Sequence, residues 1–213
     1  MTSDFMGLAR AERADLAALL RDLTPEQWAA PSLCTEWPVR DVVAHVISYE
    51  ELDARGLLRR YARGRFVPRR VNAVGVADYA GHRPEQLIGV LEHHLRPRGL
   101  TAGFGGRIAL VDGVIHHQDI RRPLGLLRDV PLERLRPVLD FARVAPPIGA
   151  FGRIRGLRLV ATDVDWAAGK GTEVSGPGEA MLMAMAGRGD ALGELSGPGL
   201  PVLAGRVVRP RVG

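Results

Sequence analysis

The side chains in this sequence whose types and spacing could do chemistry are six histidines and the acids near them: His45, His82, His93, His94, His116 and His117. Asp112, His116 and Asp119 stand at i, i+4 and i+7, which on a helix brings them within roughly 60° of one another. An acid and an imidazole one turn apart are what a divalent ion takes from a single helix, and a second helix must bring the remaining donor. His45, one turn from both Asp41 and Tyr49, is the obvious donor. The same spacing equally serves a surface helix contact worth ~0.2–0.5 kcal/mol. His93 and His94 are expected at an interface or in solvent, and His82 in a loop. His117 points away from the Asp112–His116 edge and is expected to be solvated or to stand behind the ligands. The single cysteine, Cys34, precedes a helix and could gain thiolate character from its positive end, but a small apolar packing role is the favoured reading.

These residues need elements to position them. Leu8, Leu16, Leu19, Leu20 and Leu23 recur at near-helical spacing and predict a first helix. Thr24-Pro25-Glu26-Gln27 reads as an N-cap with proline at the first helical position, opening a short turn through Trp28. A second helix starts near Pro38, with Val39, Val42, Val43, Val46 and Ile47 as its apolar stripe. The Gly- and Arg-rich stretch from Gly64 to His82 breaks the periodicity. Pro84 opens a third helix carrying Leu87, Ile88, Leu91 and Leu95, and a fourth runs from about Gly106 to Arg121. Pro131 begins a further helix that Pro146-Pro147 stops. Beyond residue 150 the texture changes. Leu157–Thr162 alternates with a strand period, Val164-Asp165-Trp166 continues extended, a helix carries Met181, Leu182 and Met185 up to a C-terminal cap at Gly187, and a last strand is expected through Val202 and Leu203. The expected architecture is mostly α: an up-and-down four-helix bundle over 1–150 and a small α/β domain over 151–213.

Composition bounds the rest. With 213 residues, 46% apolar and 25% charged, the chain is a folded protein long enough to bury a core without disulfides. One cysteine excludes an internal disulfide framework and a cysteine-built zinc site. The N-terminus lacks the basic start and apolar run of a signal peptide, and no stretch approaches the ~20 apolar residues of a membrane span, so a soluble cytoplasmic protein is expected. Net charge is +5, but Lys170 is the only lysine and the arginines are spread among 24 acids. The exception is Arg59, Arg60, Arg63, Arg65, Arg69 and Arg70, an acid-free cluster that could bind an anion or nucleic acid, or form a solvated helix end. Gly176-Pro177-Gly178 lacks the spacing of a nucleotide loop.

Three segments together resemble a known family. Trp28 to Val46, reading WAAPSLCTEWPVRDVVAHV, is similar to the N-terminal signature of the mycothiol-dependent maleylpyruvate isomerase family of actinobacteria. Asp112-Gly113-Val114-Ile115-His116-His117-Gln118-Asp119-Ile120 is similar to its second metal-ligand motif, and LVATDVDW at 159–166 with Ala186-Gly187-Arg188 looks like its C-terminal domain. The resemblance implies a DinB-like metal-binding bundle followed by a sterol-carrier-protein-like α/β domain. It implies a divalent metal, with zinc expected, held by His45, Asp112 and His116, and Asp119 as an extra ligand or behind them. It also implies mycothiol as thiol cosubstrate, and Arg188 for a substrate carboxylate. The activity implied is that of an isomerase or thiol S-transferase acting on a small electrophilic, carboxylate-bearing substrate. Aspartate at 112 departs from the family's glutamate; one methylene shorter, it requires a tighter site, help from Asp119 or water, or weaker binding. The alternatives are a non-catalytic metal- or ligand-binding relative and, third, an arginine-rich nucleic-acid-binding protein.

Overall fold

A computed structural model describes residues 4–208. Contacts divide the chain into two units, Met1–Arg128 and Asp129–Gly213. The first contains α1 (Phe5–Asp22), α2 (Pro25–Ala29), α3 (Val39–Ile47), α4 (Ala54–Arg63), α5 (Pro68–Asp78), α6 (Pro84–His93) and α7 (Arg107–Arg121). The four helices expected from apolar spacing are α1, α3, α6 and α7, and they close a ring: α1 packs on α6 and α7, and α3 packs on the same two. Leu16 and Leu20 of α1, Val39, Val42, Val43 and Ile47 of α3, Leu87 and Leu91 of α6 and Ile120 of α7 make one buried cluster. A β-branched run such as that of α3 has modest helix propensity, so this packing is what holds it helical.

Local chemistry sets the helix starts. The Asp4 side chain accepts from Gly7 N at 2.9 Å, and Thr24 and Gln27 form a reciprocal capping box. α7 starts differently. Its N-cap Gly106 has φ +94°, and a Cβ there would lie 2.9 Å from Met6 Cα of α1. Gly106→Ala combines a left-handed backbone with a clash against main chain and is expected to cost about 1–3 kcal/mol, read as a lower urea midpoint with unchanged slope.

One expectation fails here. The Gly64–His82 stretch, read as aperiodic, holds all of α5, with α4 just before it. Their cores are thin: Val71, Gly75 and Val76 are the buried residues of α5, and the one buried residue of α4 is Arg60. Arg60 donates to the carbonyl of Ser48 and pairs with Asp78, so a charged side chain fills the place an apolar one would mark.

The second unit contains α8 (Leu132–Ala142), α9 (Ala150–Ile154), β1 (Leu157–Ala161), β2 (Ala167–Gly169), β3 (Thr172–Gly176), α10 (Gly178–Met185) and α11 (Leu200–Val207). Its sheet has the order β2-β1-β3, antiparallel between β1 and β2 and parallel between β1 and β3. Leu157 and Leu159 of β1 are buried while Arg158 is exposed, the alternation seen in the sequence. α10 is buried nearly all round, packs on α8, and is followed by Gly187 at φ +88°. The fold is thus mostly helical with a small three-stranded sheet in its C-terminal part. Three details differ from expectation. The unit boundary falls at 128/129 instead of 150, because α8 packs with α10. Residues 162–165 turn, and the strand resumes at Ala167. The expected last strand through Val202 and Leu203 is α11, since two adjacent apolar residues fit either period.

Candidate metal centre

α7 is the central helix of the first unit: Ala109–Val111 and Gly113–Ile120 are all buried. Asp112 is the break in that run, with its side chain 33% exposed. α3 packs against α7 and delivers His45, which is buried although it sits off the Val/Ile stripe. The two imidazole rings meet edge to face at 4.9 Å between centroids. Asp112 Oδ1 stands 3.4 Å from His116 Nε2 and 3.7 Å from His45 Nε2, and the ligand atoms of all three residues lie within 4.8 Å of one another. Two donors held about 2.0–2.1 Å from a tetrahedral ion stand about 3.3 Å apart, so this spacing fits an ion after small adjustment. The shorter aspartate therefore reaches both imidazoles. Asp112 is the most exposed of the three.

The environment of each group follows from its neighbours. Burial pushes His45 below its ordinary value, despite Asp112 beside it, so it is neutral and able to ligate. Its Nδ1 is buried with no hydrogen-bond partner among the described residues. Trp37 covers the ring at 4.9 Å between centroids, and Tyr49 approaches edge-on at 6.3 Å. Burial also opposes charge on His116, but the Asp112 carboxylate and the bonds to Asp112, Asp119 and Cys34 outweigh it and hold the ring well above its ordinary value. Asp112 is held well below the usual carboxylate range, burial being overcome by the two imidazoles.

Asp119 does not join this donor set. It is fully buried one turn further along α7, and its Oδ2 lies 2.9 Å from His116 Nδ1. The same oxygen accepts from Cys34 Sγ at 3.0 Å. Cys34 thus has a polar partner, contrary to the favoured apolar role. The contact spans 85 residues of sequence, and no local pattern could have announced it. The loop carrying Cys34 is knotted by Ser32, whose Oγ donates to the Trp37 carbonyl at 2.7 Å, and is tied to α7 by Leu33 N donating to the Asp119 carbonyl at 3.0 Å.

Residues 9–98 match the family described as mycothiol maleylpyruvate isomerase N-terminal domain. This segment, less than half of the chain, is similar to that family. It holds Cys34 and His45, whereas Asp112 and His116 lie beyond the matched residues. Two crystal structures share the fold over most of the chain. The mycothiol-dependent maleylpyruvate isomerase is 18% identical, with 87% of this chain and 89% of that chain covered at a TM-score of 0.60. A histidine-to-alanine mutant of the isomerase of that name is 16% identical, with 91% of each chain covered at 0.64. No curated protein matches the chain.

The other singled-out residues fall elsewhere. Arg188 belongs to the second unit, just before the short helical turn Gly189–Glu194, where its Nη1 donates to the Ala186 carbonyl at 2.9 Å. His94 is buried, contrary to an exposed or interfacial place, near Glu51. His117 is also fully buried, between Glu12 of α1 and Arg121. Three of the six clustered arginines pair with acids: Arg60 and Arg63 share Asp78, and Arg69 pairs with Glu36. Beside the centre, Cys34, Thr35, Glu36, Trp37, Arg69 and Asn72 line a cavity of about 470 Å³. No helix of the described residues is long and apolar enough to cross a membrane.

Proposed function

We propose that the protein is a divalent-metal- and mycothiol-dependent enzyme, an isomerase or thiol S-transferase in which the thiol adds to an electron-poor double bond of a small carboxylate-bearing substrate. The observation that carries this reading is the 3.4–3.7 Å convergence of His45, Asp112 and His116, the three residues that the resemblance carries over as ligands. His45 and His116 offer Nε2 atoms and Asp112 a carboxylate oxygen, a donor set suited to zinc. A divalent ion bound there supplies the positive charge that makes a thiol acidic at neutral pH. Trp37 shields His45 on one side, and Asp112 marks the side from which small molecules enter. The cavity offers a carboxylate, a guanidinium, an amide and a hydroxyl beside the Trp37 ring, suited to the body of a hydrophilic thiol. Arg188 enters from the resemblance, as the partner of a substrate carboxylate in a bidentate pair.

The pairing of half the arginine cluster with acids weighs against nucleic acid as a partner. The shorter carboxylate at 112 keeps a non-catalytic metal-binding relative as the second reading. One experiment separates the two. Elemental analysis of purified protein is expected to find about one divalent ion per chain, and isomerisation of a cis-configured dicarboxylate such as maleylpyruvate is expected only with added mycothiol. Metal without thiol-dependent turnover selects the second reading. Protein that neither retains nor rebinds metal defeats both.

A further inference from the structure

The acids and thiol around His116 sort into two groups by distance. On the Nε2 side the donors stand 3.4 Å or more apart, the spacing an ion leaves between its ligands. On the Nδ1 side the separations to Asp119 Oδ2 and from there to Cys34 Sγ are 2.9 and 3.0 Å, shorter than a tetrahedral ion leaves between its ligands and right for hydrogen bonds. Cys34, His116 and Asp119 have the residue types of a second metal site, but their spacing makes them something else.

A carboxylate oxygen accepts and does not donate, so the protons must lie on its neighbours. His116 then carries hydrogen on Nδ1, and Cys34 donates its S–H to the same oxygen. A neutral His116 held this way has its lone pair on Nε2, facing Asp112 and His45. His45 has no such support, because its Nδ1 has no partner among the described residues. One ligand of the candidate centre is oriented from behind and the other by packing alone. The backbone bond from Leu33 N to the Asp119 carbonyl fixes the Cys34 loop to α7.

We propose that Asp119 and Cys34 form a hydrogen-bonded relay behind His116 that fixes which ring nitrogen faces Asp112 and His45. Asp119 is the positioning residue for His116, and Cys34 orients the Asp119 carboxylate. This rests on the reading that His45, Asp112 and His116 hold a divalent ion.

Zn²⁺ affinity, measured by competition with a chromophoric chelator, is expected to fall about 10–100-fold in Asp119→Asn. It is expected to fall several-fold in Cys34→Ala and to return towards the parent value in Cys34→Ser, whose hydroxyl can donate. Long-range ¹H–¹⁵N spectra of the metal-free protein, at a pH high enough to keep the ring neutral, are expected to show His116 protonated on Nδ1 in the parent. That preference is expected to be lost in Asp119→Asn. Zinc affinity within twofold of the parent in Asp119→Asn, with the Nδ1–H tautomer kept, overturns the relay. Parent affinity in Cys34→Ala removes Cys34 from it. If Asp119→Asn fails to fold, the two Cys34 variants decide, and equal affinities for alanine and serine overturn the proposal. Should neither the parent nor any variant bind zinc, the metal reading falls, while the tautomer still decides the relay by itself.

Discussion

His116→Ala is expected to leave the protein without its divalent ion. Elemental analysis of the purified variant should find less than about a tenth of the metal held by the parent, and added zinc should not restore it. The loss exceeds the 10–100-fold weakening typical of changes behind a ligand, because a donor itself is gone. It should also carry a stability cost. Removing the ring leaves the fully buried Asp119 carboxylate without its His116 partner, and breaking one bond to a buried polar group costs about 1–3 kcal/mol. His45→Ala separates the two effects. Its Nδ1 has no hydrogen-bond partner among the described residues, so deleting it strands no bond at that atom, and its metal loss should come with a smaller shift in unfolding midpoint. Full metal retention in both variants would refute the assignment of these imidazoles as ligands.

The second large effect is expected on the other flank of α7. Glu12 is fully buried on α1, its Oε1 lies 2.9 Å from His117 Nδ1, and it pairs with Arg128. Arg121 Nε donates to His117 Nε2 at 2.9 Å, and an arginine can only donate, so the ring is neutral with its proton on Nδ1 facing Glu12. Burial raises the Glu12 carboxyl, but the His117 bond and the Arg128 charge overcome it and bring it down to about 2. Glu12→Ala strands these donors and is expected to destabilise the protein by about 3–5 kcal/mol in urea titrations at neutral pH. The pH dependence has a definite sign. A carboxyl lowered from 4.5 to about 2 contributes stability that is present above 4.5 and lost as pH falls towards 2, up to about 3 kcal/mol. His117, pushed below its ordinary value by burial, acts in the same sense from pH 6.5 downward. His116, held above its ordinary value, acts oppositely: its contribution is present below 6.5 and fades as pH rises through the folded value. The parent and Glu12→Gln share both histidines, so the stability gap between them should close between pH 5 and pH 2. A gap that stays constant would show that Glu12 is not ionised by this network.

What the sequence could announce follows from the range of each interaction. The four bundle helices were legible because their apolar residues recur every three or four positions, and burial of a stripe is a local property. Asp112 and His116 were legible as a pair with His45 as the obvious donor from a second helix, and resemblance to a family supported the three. Asp119 was legible on the same helix edge, as an extra ligand or a residue behind the ligands, but the long-range contacts were not. Glu12 meets His117 across 105 residues, Cys34 meets Asp119 across 85, and Arg13 meets Glu50 across 37. None of these pairings shows in local spacing, because each forms only when the helices pack. His117 shows the cause most plainly: pointing away from the ligand edge is the same as pointing out only when one side of a helix is covered. α7 is covered on nearly all sides, and so a residue opposite the centre is buried as well.

That enclosure also says where descendants of this chain are free to change. A substitution along α7 must fit neighbours in almost every direction, whereas the loop from Ala30 to Pro38 and the exposed positions of α5 border the cavity with one side open. New preferences for what is bound should therefore accumulate in those two segments, while α7 drifts least.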